Sequence, residues 1–103
     1  MARMIVVYKK PKDVEAFNQH YFEIHVPLAK KLPGLRSYEV SFGPITAMGS
    51  AFDTYLVGML HFDSLAAIRA AFTSPEGQAC AADRRKLCAD EDMQMFLYES
   101  QVV

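Results

Sequence analysis

The segment Tyr55 to Phe62, YLVGMLHF, is short enough to be a single strand and apolar on both of its faces. Successive side chains of a strand point to opposite sides of a sheet, so both sides of any sheet holding this segment must be covered. That requirement governs the fold. The other segments say what is available to do the covering. Arg3 to Lys9 is β-branched and aromatic, a strand ending at Lys10-Pro11. Asp13 has the character of a helix N-cap. Val14, Phe17, Tyr21, Ile24, Leu28 and Leu32 follow it at spacings of three and four, one apolar helix stripe, until Pro33-Gly34 stops it. Leu35 to Phe42 alternates, with Arg36, Tyr38, Val40 and Phe42 on one face, and a hairpin loop is expected over 43–53.

The second half repeats the plan. Asp63 or Ser64 caps a short helix burying Leu65, Ile68 and Phe72. Ser74-Pro75-Glu76 starts another helix that runs to about Leu87, and Met93 to Val103 closes with a strand. The order βαββαβ is that of the ferredoxin-like α+β sandwich, an antiparallel sheet with helices on one face. Those helices leave the other face bare, and strands with large apolar residues on both sides need a second cover. A copy of the same chain, sheet against sheet about a two-fold axis, supplies it, so a homodimer closing into an α+β barrel is expected.

A chain of 103 residues has room for one domain, spanning 1–103. Eleven basic and 12 acidic residues leave a net charge of −1, with no basic patch for nucleic acid. No stretch is long and apolar enough to span a membrane, and Met1 to Tyr8 lacks signal-peptide organisation, so the cytoplasm is the expected home. Cys80 and Cys88 lie two turns apart on one helix, roughly 12 Å along its axis, too far to pair. There is no Cys/His cluster for zinc and no GxGxxG after a strand for a flavin or nicotinamide; no cofactor or metal is expected.

Chemistry therefore rests on a few side chains. At about 100° per residue, His25 lies roughly 40° from Tyr21, on the apolar stripe beside it. His20 lies about 100° to the other side and faces outward or sideways. A lone imidazole on an apolar face is ordinarily a core residue. Pro27, however, removes a helical hydrogen bond close to His25 and disturbs the packing there, which favours a pocket.

The run Phe22-Glu23-Ile24-His25-Val26-Pro27-Leu28-Ala29, followed by Leu32-Pro33-Gly34-Leu35, resembles the EthD family of dimeric α+β barrel proteins. So do Phe62-Asp63-Ser64-Leu65-Ala66-Ala67 and Ser74-Pro75-Glu76-Gly77-Gln78 in the second half. The resemblance implies a ferredoxin-like monomer, a two-fold dimer, and a cleft between helices and sheet that takes a small molecule, often cyclic or aromatic. Within it, His25 is the candidate acid/base, because imidazole titrates near neutrality. Tyr38 is a candidate donor to an oxyanion, Arg36 and Tyr21 candidates to hold substrate, and His61 a candidate second base. Three readings stand open: cofactor-free isomerase, cyclase or monooxygenase chemistry on a lactone, carbonyl or aromatic compound; a non-catalytic ligand-binding or dimerisation module; and heme degradation. The last departs from the superfamily's pattern, which pairs a histidine with Asn and Trp, since this chain has no tryptophan.

Overall fold

The computed structural model describes residues 1–49 and 52–103. Four strands, β1 (Ala2–Lys9), β2 (Ser37–Val40), β3 (Thr54–Phe62) and β4 (Met93–Glu99), form one antiparallel sheet in the order β2-β3-β1-β4. With helices between β1 and β2 and between β3 and β4, this is the ferredoxin-like arrangement. The alternation of β1 decides the layering: Ala2, Met4, Val6 and Tyr8 are buried under the helices, with Leu56, Leu60 and Phe62 of β3 beside them. Between Tyr8↔Leu56 and Lys9↔Thr54, β3 carries one extra residue, Tyr55. That bulge accompanies a Tyr55 hydroxyl that donates to Asn18 Oδ1 at 2.8 Å.

Among the described residues, no helix covers the opposite sheet face. Cross-strand partners share a face, so the pairs Ile5↔Met59, Val7↔Val57, Ile5↔Phe96 and Arg3↔Tyr98 place an apolar surface there. Phe96 is 48% exposed and Tyr98 44%. No helix among the described residues is long and apolar enough to cross a membrane.

The helices begin where their caps lie in the sequence. Asp13 accepts from the Ala16 amide at 3.0 Å and starts α1 (Val14–His20). Ser64 accepts from Ala67 and starts α3 (Leu65–Thr73); Ser74 accepts from Gly77 and starts α4 (Pro75–Leu87), with Pro75 in its first turn. Cys80 and Cys88 are free thiols.

The structure differs from the expected elements in three places. The first helix is not one regular α-helix: Tyr21–His25 forms a π turn, in which the Val26 amide donates to the Tyr21 carbonyl, before a short α2 (Val26–Ala29). Pro27 has no amide to give, so a widened turn sits where the α-helical ladder was already broken. Next, β2 covers Ser37–Val40 rather than Leu35 to Phe42; at its end the Ser41 amide still donates to the Val57 carbonyl, but the Ser41 side chain, not its carbonyl, takes the Val57 amide at 3.0 Å. Last, β4 stops at Glu99 instead of Val103. The loop expected over 43–53 includes residues 50 and 51, which lie outside the described residues.

Candidate active site

A cavity of about 360 Å³ lies between the sheet and the helices. Its inner wall is apolar, built from Met4, Val6, Leu60, Ile68 and Phe72, with Met95 and Leu97 of β4 toward the open side. Among the polar side chains against this wall or just behind it are His25, Tyr21, Tyr38 and Asp83.

The π turn positions the first two. Tyr21 is 1% exposed and His25 5%, their ring centroids 5.5 Å apart. His25 Nδ1 lies 3.0 Å from Asp83 Oδ2, and His20 Nε2 lies 2.8 Å from Asp83 Oδ1. Both imidazoles thus share one carboxylate. In a regular α-helix residues five apart stand about 140° apart around the axis. The i→i+5 bond of a π turn brings them onto nearer sides of the axis, and this lets His20 and His25 reach the same acid.

His20, expected outward or sideways, is instead part of the cluster. Asp83 was missed altogether. It lies in a polar, arginine-flanked stretch, AADRRK, that suggests a solvated face. The signal was its spacing: Gly77, Cys80, Asp83 and Leu87 fall on one stripe of α4, and the first three are buried.

The charges follow from this packing. Burial holds His25 below its ordinary value of 6.5, opposed by its hydrogen bond to Asp83 and the nearby charge. Burial pushes Asp83 up, but hydrogen bonds from His20 and His25 outweigh it and hold its carboxyl below 3.8. Asp83 is therefore an acceptor only, and it fixes the His25 tautomer with the proton on Nδ1. Nε2 is left with its lone pair, on a residue that lines the cavity.

Tyr38 Oη and Tyr21 Oη are 2.5 Å apart. Gly58 makes room for them: a Cβ there would stand 3.1 Å from the Tyr21 hydroxyl and 3.7 Å from Tyr38 Cε1. Burial pushes Tyr38 up to about 12 and raises Tyr21 further. Both phenols stay protonated at neutral pH, serving as donors and not as bases. The Cys80 thiol, also against the cavity, is pushed up to about 11 by burial and stays unionised.

Two of the expected site residues are placed elsewhere. Arg36 precedes β2 and makes a two-point ion pair with Asp63, at 3.0 and 2.7 Å, on the surface. His61 points to the helix-free face, its Nε2 3.2 Å from Glu39 Oε1 without hydrogen-bond alignment. His25, Tyr21 and Tyr38 are brought together; Arg36 and His61 are not. Among the described residues, no group of three or more His, Cys, Asp and Glu side chains is arranged to hold a metal ion.

Residues 9–91 match the model of the EthD domain. The chain belongs to the EthD family. Both resembling stretches, around His25 and around Ser74, fall inside the matched span. An uncharacterised 11.0 kDa protein of Rhodococcus erythropolis, from the thcB-thcC intergenic region, is 34% identical over 100% of this EthD chain and 99% of its own. The crystal structure of an ethyl tert-butyl ether D (EthD) family protein from Bacillus halodurans superposes with a TM-score of 0.86 at 32% identity, covering 98% of this chain and 99% of that one. At lower identity the likeness is one of fold. A dimeric ferredoxin-like protein of unknown function from Thermobifida fusca gives a TM-score of 0.68 at 17% identity, over 94% of this chain and 88% of that one. SnoaB, a cofactor-independent oxygenase from Streptomyces nogalater, gives 0.68 at 14% identity, over 99% and 94%.

Proposed function

We propose that this EthD protein performs cofactor-free general acid/base catalysis on a small lactone, carbonyl or aromatic compound held in the cavity between helices and sheet. One observation carries the proposal. His25 has Nδ1 committed to the Asp83 carboxylate, leaving a neutral Nε2 to an apolar cavity that the Tyr21–Tyr38 pair also lines. In this reading His25 takes a proton from a carbon or hydroxyl of the substrate. Asp83 is the positioning residue; its charge stabilises the imidazolium that forms. Tyr21 is the more deeply buried phenol and donates to Tyr38, whose own proton is then available for the developing oxyanion. The fold neighbour from Streptomyces nogalater is itself described as a cofactor-independent oxygenase, which accords with chemistry of this kind on this scaffold.

The molecule is also proposed to be a homodimer, its helix-free sheet faces packed together. The bare face needs a cover, and the Thermobifida fusca protein of the same fold is described as dimeric.

Proton exchange tests the catalytic reading. A panel of cyclic ketones, lactones and dihydroxyaromatic compounds is incubated in D₂O with purified protein and no added cofactor, and deuterium uptake is followed by NMR. Exchange of one or more members is expected. His25→Ala should slow it by about 10²–10⁴-fold while leaving the fold and the assembly intact. Exchange undiminished in His25→Ala overturns the assignment. Compounds that bind without exchanging would make the protein a ligand-binding module.

A further inference from the structure

Arg69 of α3 and Arg85 of α4 both border the cavity. Neither has a hydrogen-bond or ion-pair partner among the described residues. Arg84, which also lines the cavity, differs: its guanidinium is taken by the Cys88 carbonyl at 3.1 Å and by Asp90. The one acid of the cluster, Asp83, is already shared by His20 and His25. The cavity is thus apolar inside, carries a neutral base, and has uncompensated positive charge where α3 and α4 border it.

Helix-end electrostatics do not account for both arginines. Arg85 lies in the last turn of α4 with Arg84 and Lys86, where a cation offsets the helix dipole. Arg69 sits mid-helix in α3, where that effect gives nothing. What the two share is the cavity.

We infer that the substrate is an anion, a ring or short apolar body bearing a carboxylate, whose apolar part fills the cavity while Arg69 and Arg85 hold the charged group. This rests on the cavity being the substrate site and adds the substrate's class. Guanidinium groups suit the role, since their paired N–H groups match a carboxylate's two oxygens. A neutral His25 is compatible with such a ligand and does not itself attract the acid. Proton abstraction next to a group already held by cations would also place the new negative charge in a favourable field. The arginine role assigned to Arg36 from the sequence passes in this reading to Arg69 and Arg85, because Asp63 occupies Arg36.

A matched pair of probes tests it: 2-naphthoate and its uncharged counterpart 2-naphthamide, whose binding is followed by their own fluorescence. Both arginines are solvent-exposed, where ion pairs are weak, so the expected preference for the acid is about tenfold, equivalent to about 1.4 kcal/mol. The preference should shrink in 0.5 M salt. Arg69→Gln/Arg85→Gln should abolish it while leaving naphthamide affinity unchanged. Tm measured alongside shows whether the double variant folds, and each single variant should lose part of the preference. His25→Ala should keep it. Equal binding of acid and amide by the wild type, or a preference that survives the double variant, overturns the inference and leaves the catalytic reading standing. If neither probe binds, this apolar cavity is not a site for such ligands and the inference falls. If His25→Ala then also leaves the deuterium exchange undiminished, the catalytic reading falls separately.

Discussion

Asp83 is the residue on which the site's protonation state turns. Burial lowers His25 and the Asp83 carboxylate opposes it, so removing that charge while keeping its shape should lower His25 further. In Asp83→Asn the plateau of kcat/KM should fall by about 10²-fold, and the acid limb of the profile should move to lower pH. A residue serving only to hold the fold would lower the plateau without moving the limb. The same groups set the pH dependence of stability. The unfolded chain carries His25 at its ordinary 6.5, while the folded protein holds it lower. As pH falls below 6.5 the unfolded state binds the proton first, so stability declines until the folded value is passed. Asp83, held below 3.8 in the folded state, contributes stability above 3.8 that is lost as pH falls through its lower folded value. Thermal melts from pH 7.5 to 5 should show the first decline. It should be flatter in His25→Ala, and in Asp83→Asn it should continue to lower pH. A wild-type Tm constant across that range would contradict a buried neutral His25.

Among the elements, the joint between α3 and α4 is the tightest. Ser74 ends one helix and caps the next, and the second returns so closely that a Cβ on Gly77 would lie 2.0 Å from the Ala71 carbonyl oxygen and 2.5 Å from Phe72 Cα. These are backbone atoms that cannot swing aside. Gly77→Ala should therefore destabilise by about 3 kcal/mol and lower Tm by more than about 10 °C; a change within about 0.5 kcal/mol would mean that the helices part easily. The N-cap at this joint was legible in Ser74-Pro75-Glu76, because capping is local chemistry. The π turn was not. A helical wheel presumes 100° per residue, and that assumption separates His20 from His25 when the real turn unites them. Parity along strands behaved similarly. Tyr38 was placed on a useful face, but Arg36 on the same parity fell outside the strand, where Asp63 was waiting for it. His61 could not be assigned a side until the sheet's layering was known. Asp83 needed a contact across 58 positions of sequence, which no local pattern reports.

At the scale of the whole molecule, the layering leaves an imbalance that a second copy would resolve. The helices cover Ala2, Met4, Val6 and Tyr8, while Ile5, Val7, Val57, Met59, Phe96 and Tyr98 lie across the other side of the same three strands. Such a contiguous apolar surface is of the kind that monomers rarely leave in water. Met59 lies on a central strand, directly across from Ile5. Met59→Asp puts a charge into the patch, and a buried unpaired carboxylate is unfavourable by several kcal/mol; a two-fold interface would meet the change twice. Sedimentation equilibrium at micromolar concentration should find the wild type at twice the chain mass, Met59→Asp at the chain mass, and Arg85→Gln, on the helical side, still dimeric. The buried area should exceed about 2,000 Å² in total, as in obligate dimers. The cavity should register the loss. Met95 and Leu97 form part of its wall, and they lie on β4, an edge strand paired with β1 and exposed along nearly its whole length. A partner packed against Phe96 and Tyr98 would hold that wall from behind. Met59→Asp, though far from His25 in the layering, should then weaken naphthoate binding as it dissociates the dimer, and affinity should recover with rising protein concentration. A wild type that sediments as a monomer, or a monomeric Met59→Asp with undiminished affinity at every concentration, would separate the cavity from the assembly.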